Sequence, residues 1–173
     1  GPERPPAPAA LKVLFVIHQF LPKHVAGTEV YTAGLMRELK AAGHGAALLT
    51  CEAHHERRQF ERLRRTHEGI PIHEIVQNYK WDSFESTYDC PPMDAIFESV
   101  LDEERPDVLH VQHLHYFSAN FLQIAARRGI PVVYTLHDYI LLCARDGQLR
   151  RADGELCRTA VPEKCADCIA HHR

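Results

Sequence analysis

Polar side chains that can bind hydroxyl groups or transfer protons follow four apolar runs of this chain. In an open parallel sheet, ligands bind beyond the carboxyl ends of the strands, so four such ends predict a binding site at one sheet edge. One histidine after one strand is weaker evidence, because any strand must end in something polar. The four ends are His18-Gln19, Cys51-Glu52, Gln112-His113-Leu114-His115 and His137-Asp138-Tyr139.

A glycine stands at the predicted start of the first helix, in the segment Ala26-Gly27-Thr28-Glu29. Unpaired N–H groups and the positive end of the helix dipole can hold an anion such as a phosphate there. The alternative is a simple cap or turn. The fingerprint G-x-G-x-x-G is absent, which argues against a nicotinamide dinucleotide site. Glu29 either complements the helix dipole or binds a substrate hydroxyl.

Four cysteines near the end of the chain have the spacing C-x13-C-x7-C-x2-C. Four thiolates can close a tetrahedral structural zinc site, and a polar tail with few apolar residues needs something to hold it. Two disulfides or unbound thiols are the alternatives, and His171 and His172 are spare ligands. The predicted metal ligands are Cys143, Cys157, Cys165 and Cys168.

Predicted strands alternate with predicted helices along the chain. This pattern predicts an α/β fold, a Rossmann-like, doubly wound parallel sheet with helices on both faces, and this sheet would position the groups described above. The continuous apolar runs of the last two strands predict that both of their faces are covered. An Arg- and Glu-rich segment at 55–65 is predicted to be helical. The predicted strands are 11–17, 46–50, 70–76, 107–111 and 131–136, and the other predicted helices are 28–42, 93–104 and 118–128.

The predicted domain, 11–142, follows a leader, 1–10, which is disordered or left by tag cleavage. An irregular Cys-containing segment, 143–173, ends the chain. A long loop is predicted from 78 to 92, and it carries Tyr79, Trp81, Phe84 and Tyr88. Trp81, Phe84 and Tyr88 could stack on an acceptor sugar or lipid, cover the core or contact a partner domain.

Four motifs, in order along the chain, resemble the N-terminal domain of a GT-B glycosyltransferase of glycosyltransferase family 4. The resemblance implies two Rossmann-like domains that face each other across a cleft, the N-terminal one binding the acceptor and the C-terminal one the nucleotide-sugar. The chain has no room for that C-terminal domain, so we expect it to be inactive alone. The motifs are 12–29, Leu39-Lys40-Ala41-Ala42-Gly43-His44, 106–113 and 129–138.

The resemblance also implies roles for individual residues. His137 would approach the transferred sugar, and Asp138, the other predicted catalytic residue, would orient it or bind the acceptor. Transfer would proceed with retention and without a catalytic metal. The donor diphosphate would lie at Ala26, Gly27 and Thr28, where backbone N–H groups offset leaving-group charge. The acceptor would contact His18, Glu29, His113, His115 and Tyr139.

Composition and charge limit the kinds of partner that the chain is expected to bind. A net charge of -3 gives no reason to expect nucleic acid, and no apolar run reaches the roughly 20 residues of a membrane span. The first ten residues do not resemble a signal peptide, so a cytoplasmic location is expected. An arginine cluster at 57–65 is a solvated helix face or a contact with an anionic inner membrane surface, which would suit a glycan or lipid-linked acceptor.

Two other functions fit the same sequence. The chain could be a zinc-stapled, Rossmann-like module that binds a glycan or a protein without chemistry. It could also be a different α/β nucleotide-binding protein, which a nicotinamide or flavin binding assay would reveal.

Overall fold

The computed structural model describes residues 9–143, 145, 147–151 and 153–170. The chain forms two compact units, one that reaches to Thr135 and one that begins at Leu136. Most of the predicted leader lies outside the described residues. The predicted division between 142 and 143 stays a prediction.

The first unit is built on a six-stranded sheet in the order β3-β4-β2-β1-β5-β6. All neighbouring pairs are parallel except β3 and β4, which are antiparallel. The predicted α/β fold is therefore confirmed. The strands are β1 Lys12–Val16, β2 Gly45–Glu52, β3 Arg62–His67, β4 Ile70–Val76, β5 Val108–Val111 and β6 Val132–Tyr134.

Helices cover both faces of this sheet. On one face Met36 of the first helix packs with Phe15 and Ile72, and on the other Phe97 and Phe121 pack against the sheet. The two phenylalanine rings stack at 4.0 Å between centroids. No helix within the described residues has both the length and the apolar composition of a membrane span. The helices are α1 Gly27–Ala41, α2 Pro91–Glu104, α3 Asn120–Arg127 and, in the second unit, α4 Pro162–Ala170.

The register brings the carboxyl ends of the central strands to one edge. Val16 at the end of β1 pairs with Leu49 of β2 and with Val111 of β5. The Gln112 N–H group donates to the Val16 carbonyl at 2.8 Å, so the chain after β5 continues beside the end of β1. The polar residues that follow these strands therefore emerge side by side.

The segment at 55–65 is not a helix, and that prediction is wrong. It contains a turn and the start of β3, which pairs with β4 through a tight hairpin. Glu68 and Gly69 have φ of 50° and 73°, and positive φ at both central residues is the signature of a two-residue type I′ turn. The hairpin holds the Arg-rich segment in an extended conformation at the sheet edge.

The prediction that both faces of the last two strands are covered is wrong for β6. This strand is the free edge of the described sheet, and the Val133 side chain is 48% exposed.

The loop predicted at 78–92 is irregular apart from the 3-10 turn Glu85–Thr87 and the start of α2. The sequence did not predict α4.

Candidate functional site at the sheet edge

Three imidazole rings gather at the carboxyl ends of β1 and β5. The His18 ring centroid lies 4.5 Å from that of His113 and 6.2 Å from that of His115, and the latter two are 5.7 Å apart. The structure thus brings together three of the five predicted acceptor-binding residues. Clustered imidazoles can donate and accept hydrogen bonds and can transfer protons.

His113 is fixed by its own loop. Its side chain is buried, with the residue 6% exposed, and its Nδ1 accepts a hydrogen bond from the His115 N–H group at 2.9 Å. An Nδ1 that accepts leaves the proton of the neutral ring on Nε2. The ring orientation of His113 is therefore set by the backbone of the same loop.

Two tyrosines extend the cluster. The Tyr116 ring lies 3.9 Å from that of His115 and 4.7 Å from that of Tyr79. Both tyrosines have positive φ, 68° at Tyr116 and 57° at Tyr79. Bulky residues rarely adopt this conformation, which is enriched at ligand-binding sites. Sequence reasoning missed Tyr116, since no pattern marks a left-handed residue that is not glycine.

The Tyr79 hydroxyl is held in its protonated form. Burial raises the pKa of Tyr79 above 10.0, and the neighbouring Cys51, Tyr116 and Glu52 add to the increase. The Gln19 side-chain amide donates to this hydroxyl at 3.4 Å. A protonated hydroxyl remains able to donate to a ligand oxygen.

A buried carboxylate lies at the end of β2. Glu52 is 8% exposed, and its Oε2 lies 2.8 Å from His24 Nε2 and 3.9 Å from Lys23 Nζ. The Ala53 N–H group donates to the other carboxylate oxygen at 3.0 Å. This arrangement ties the loop between β1 and α1 to the sheet edge. Glu52 was predicted to lie at the site because it follows an apolar strand, whereas no sequence pattern distinguished His24.

A second carboxylate–histidine pair stands on β4. Glu74 lies 2.8 Å from His54 Nε2 and accepts from Arg65 at 2.9 Å. Burial alone would raise the pKa of Glu74, but these two hydrogen bonds outweigh it and lower the pKa below 4.5. The carboxylate is therefore charged at neutral pH and fixes the adjacent loop.

The mouth of α1 is open. Ala26 has extended backbone, and a Cβ added at Gly27 would meet nothing within 4 Å. Glu29 is 3% exposed, and its Oε2 accepts from the Ala26 N–H group at 3.1 Å. Ala26 has no side-chain oxygen to return that bond, so only half of a capping box forms. Glu29 thus caps the helix, and its acceptor-binding role stays a prediction, as do the donor roles of Ala26, Gly27 and Thr28.

The predicted catalytic residues, His137 and Asp138, belong to the second unit, together with Tyr139. The Asp138 carboxylate accepts from the Ile140 N–H group at 2.9 Å and so shapes a local turn. Tyr139 is exposed, and its carbonyl accepts from the Cys143 N–H group at 2.9 Å. Their roles in catalysis and acceptor binding stay predictions.

The four clustered cysteines line one cavity of about 590 Å³ in the second unit, and all four carry free thiols. Within the described ranges, no group of three or more His, Cys, Asp or Glu side chains is arranged to hold a metal ion. His171 and His172 lie outside the described residues. Zinc binding by these cysteines stays a prediction.

The arginine cluster is largely paired with carboxylates of the same chain. Arg57 lies 2.8 Å from Glu61, while Arg62 and Arg64 lie 2.5 Å and 2.7 Å from the two oxygens of Glu103 on α2. Its charge is thus offset locally, and part of it stands on a strand instead of the predicted helix face. This pairing weakens the argument for a membrane contact.

Comparisons with known proteins agree with this architecture. A family model described as a glycosyl transferase 4-like domain matches residues 26–169. The chain is also 24% identical over 148 residues to a Klebsiella pneumoniae protein described as an uncharacterized 42.6 kDa protein in the cps region. That match covers 76% of this chain and 38% of the Klebsiella protein.

Proposed function

Because the chain belongs to the glycosyl transferase 4-like domain family, we propose that it is the acceptor-binding half of a retaining glycosyltransferase. The donor is a nucleotide-sugar, the transferred group is a hexosyl unit, and the acceptor is a glycan or a lipid-linked saccharide. The ring cluster of His18, Tyr79, His113, His115 and Tyr116 is the observation that carries this proposal.

These rings suit a saccharide acceptor. A sugar has apolar C–H faces, which pack on aromatic rings, and hydroxyl groups, which need donors and acceptors. The tyrosine and imidazole rings offer the packing surface, and the His113 ring, held by the hydrogen bond from the His115 N–H group, adds a polar group of fixed orientation. Rings held by a strained or hydrogen-bonded backbone lose little freedom on binding, which favours affinity.

Part of the proposed donor site lies at the start of α1. The open mouth of α1 supports a contact between the N–H groups of Gly27 and Thr28 and the donor diphosphate. The buried Glu29 carboxylate occupies part of the positive helix end, so anion binding there is weak by itself. A C-terminal domain would supply the remaining contacts, and the Klebsiella relative is long enough to contain one.

His137 and Asp138 complete the proposed transferase chemistry. His137 contacts the transferred sugar, and Asp138 positions it through the turn that its carboxylate holds. Backbone N–H groups stabilise the departing diphosphate, which reduces the need for a strong protein base. The enzyme acts in the cytoplasm, where a lipid-linked acceptor, and not the arginine cluster, would bring it to the inner face of the membrane. This half alone does not turn over donor.

Saccharide binding to the 173-residue chain tests the acceptor proposal. Trp81 is the single tryptophan and stands near Tyr79 in sequence, so its fluorescence and the histidine NMR signals are both usable probes. We expect a subset of saccharides or glycolipid head groups to shift the signals of His18, His113 and His115. The variant His115→Ala should lose this response, while His44→Ala, at the opposite end of β2, should keep it.

Two results would contradict the proposal. One is the absence of any response across a broad panel of neutral, amino and acidic saccharides. The other is tight binding of a nicotinamide or flavin nucleotide, which would indicate a different α/β nucleotide-binding protein.

A further inference from the structure

The second unit has no apolar core of its own among the described residues. Every buried hydrophobic side chain precedes residue 126, and large apolar residues of the second unit are exposed, including Leu156 at 64%. A segment of this size seldom folds by hydrophobic burial alone and usually needs a disulfide or a metal. Apolar packing within the unit therefore does not hold it, which leaves a role for a metal or a disulfide.

The four thiols of this unit come from three short elements. Cys165 and Cys168 are one turn apart on α4. Cys157 follows the bridge between Arg150 and Leu156, and its N–H group donates to the Leu149 carbonyl at 2.7 Å. A hairpin-like turn and a helix that each supply cysteines are a common frame for a structural zinc site. Cys143 closes a turn that begins at Tyr139.

The charge around the cavity favours thiolate ligands. Its lining contains one acidic residue, Glu155, and five cationic residues. A zinc ion with four thiolates carries excess negative charge, which nearby guanidinium and ammonium groups offset. The cationic lining residues are Arg145, Arg150, Arg151, Arg158 and Lys164.

We propose that Cys143, Cys157, Cys165 and Cys168 bind one structural zinc ion that holds the second unit together. Each thiol loses its proton to solvent as its sulfur coordinates the metal. The thiols line one cavity without forming a three-ligand group, so binding draws the helix and the two loop segments toward a common centre. Zinc is favoured because it prefers four sulfur ligands in tetrahedral geometry.

Metal and thiol analysis of the 173-residue chain tests this site. Protein prepared without chelator should contain about one equivalent of zinc, and its four clustered thiols should react only after chelation. Cobalt should replace zinc and give thiolate-to-metal charge-transfer absorption with tetrahedral ligand-field bands. Less than half an equivalent of zinc, with the four thiols freely reactive or joined in disulfides, would overturn the proposal.

Variants separate ligation from folding. The double change Cys165→Ser and Cys168→Ser should abolish zinc binding, while Cys90→Ala, which removes a core thiol outside the cavity, should retain it. Cys143→His should keep the metal but change the cobalt spectrum, because histidine is also a zinc ligand. Full zinc retention in the double variant would show that the metal is bound elsewhere. This readout does not depend on transferase activity, so either proposal can fail alone.

Discussion

Tyr116 and Tyr79 both have a strained backbone and a ring in the candidate site. A substitution that relieves the strain and removes the ring should therefore affect stability and ligand binding differently. Asparagine tolerates positive φ better than tyrosine does. We therefore expect Tyr116→Asn to change the free energy of unfolding by less than about 1 kcal/mol, as relief of strain offsets lost packing. Saccharide binding, measured by Trp81 fluorescence, should fall at least about tenfold, since stacking surface is removed.

Arg105 provides the matched control for that change. It has φ of 46° at the end of α2 and makes no ring contact in the site. Arg105→Gly should stabilise the protein by about 0.5–1 kcal/mol and leave saccharide binding unchanged. A similar loss of binding in both variants would indicate a general effect of the backbone instead of a role for the tyrosine ring.

A substitution at Gly27 tests the proposed contact with the donor diphosphate. A Cβ there would meet open space, so Gly27→Ala should not destabilise α1 and should raise stability by up to about 1 kcal/mol. The methyl group should nevertheless weaken nucleoside diphosphate binding, which calorimetry can measure. Gly34→Ala on the same helix also meets open space and should gain stability without affecting the nucleotide. Equal nucleotide affinity in both variants would argue against the contact.

A network of polar contacts joins α2, β1 and β4 and predicts that the free energy of unfolding depends on pH. Glu104 of α2 lies 2.8 Å from Lys12 on β1 and 2.6 Å from His73 on β4. Burial alone would raise the pKa of Glu104, but these partners outweigh it and lower the pKa below 4.5. A lowered carboxyl pKa contributes stability that is present above about pH 4.5 and is lost as the pH falls through the folded-state value.

Urea unfolding between pH 7 and pH 3 measures this contribution. Glu104→Gln should cost about 1–2 kcal/mol at pH 7 and should flatten the acid limb of the stability profile. Glu98→Gln, which removes a more exposed carboxylate from the same helix, should leave the profile nearly unchanged. Parallel profiles for the wild type and Glu104→Gln would contradict the role of the network.

The main elements could be predicted from sequence because apolar runs and helical periodicity are local signals. The order β2-β1-β5 at the centre of the sheet brings His18, His113 and His115 together as expected. The hairpin of β3 and β4 was missed because its Glu-Gly turn is an uncommon pair and its arginines suggest a solvated helix. The positive φ of Tyr79 and Tyr116 could not be predicted, since tertiary contacts impose it.

At the scale of the whole molecule, the first unit contains every buried hydrophobic residue of the described chain. A fragment of residues 9–135 should therefore unfold cooperatively, with a Tm within about 4 °C of that of the parent chain. Differential scanning calorimetry with near-UV circular dichroism checks this. A fragment that lacks a cooperative transition would show that the second unit is required for the fold.

The proposed division of labour between two domains predicts that transferase activity requires a longer polypeptide. Incubation of this chain with nucleotide-sugars should release no nucleoside diphosphate above the uncatalysed level. A polypeptide that adds a C-terminal nucleotide-sugar-binding domain should release it when acceptor is present. In that protein, His137→Ala should lower kcat by at least about 100-fold if His137 has the proposed contact with the transferred sugar. Activity of the short chain alone would refute the division of labour between two halves.

The two remaining cysteines have a practical consequence for chemical labelling. Cys51 is buried and donates its S–H group to the His18 carbonyl at 2.8 Å, and Cys90 is buried in the core. Burial raises the pKa of both thiols, that of Cys51 well above 9.0, so neither forms the reactive thiolate at neutral pH. Once a chelator has removed the proposed zinc, an alkylating dye or spin probe should therefore attach only to the four cysteines beyond residue 136. The second unit can then be labelled selectively without the removal of any cysteine.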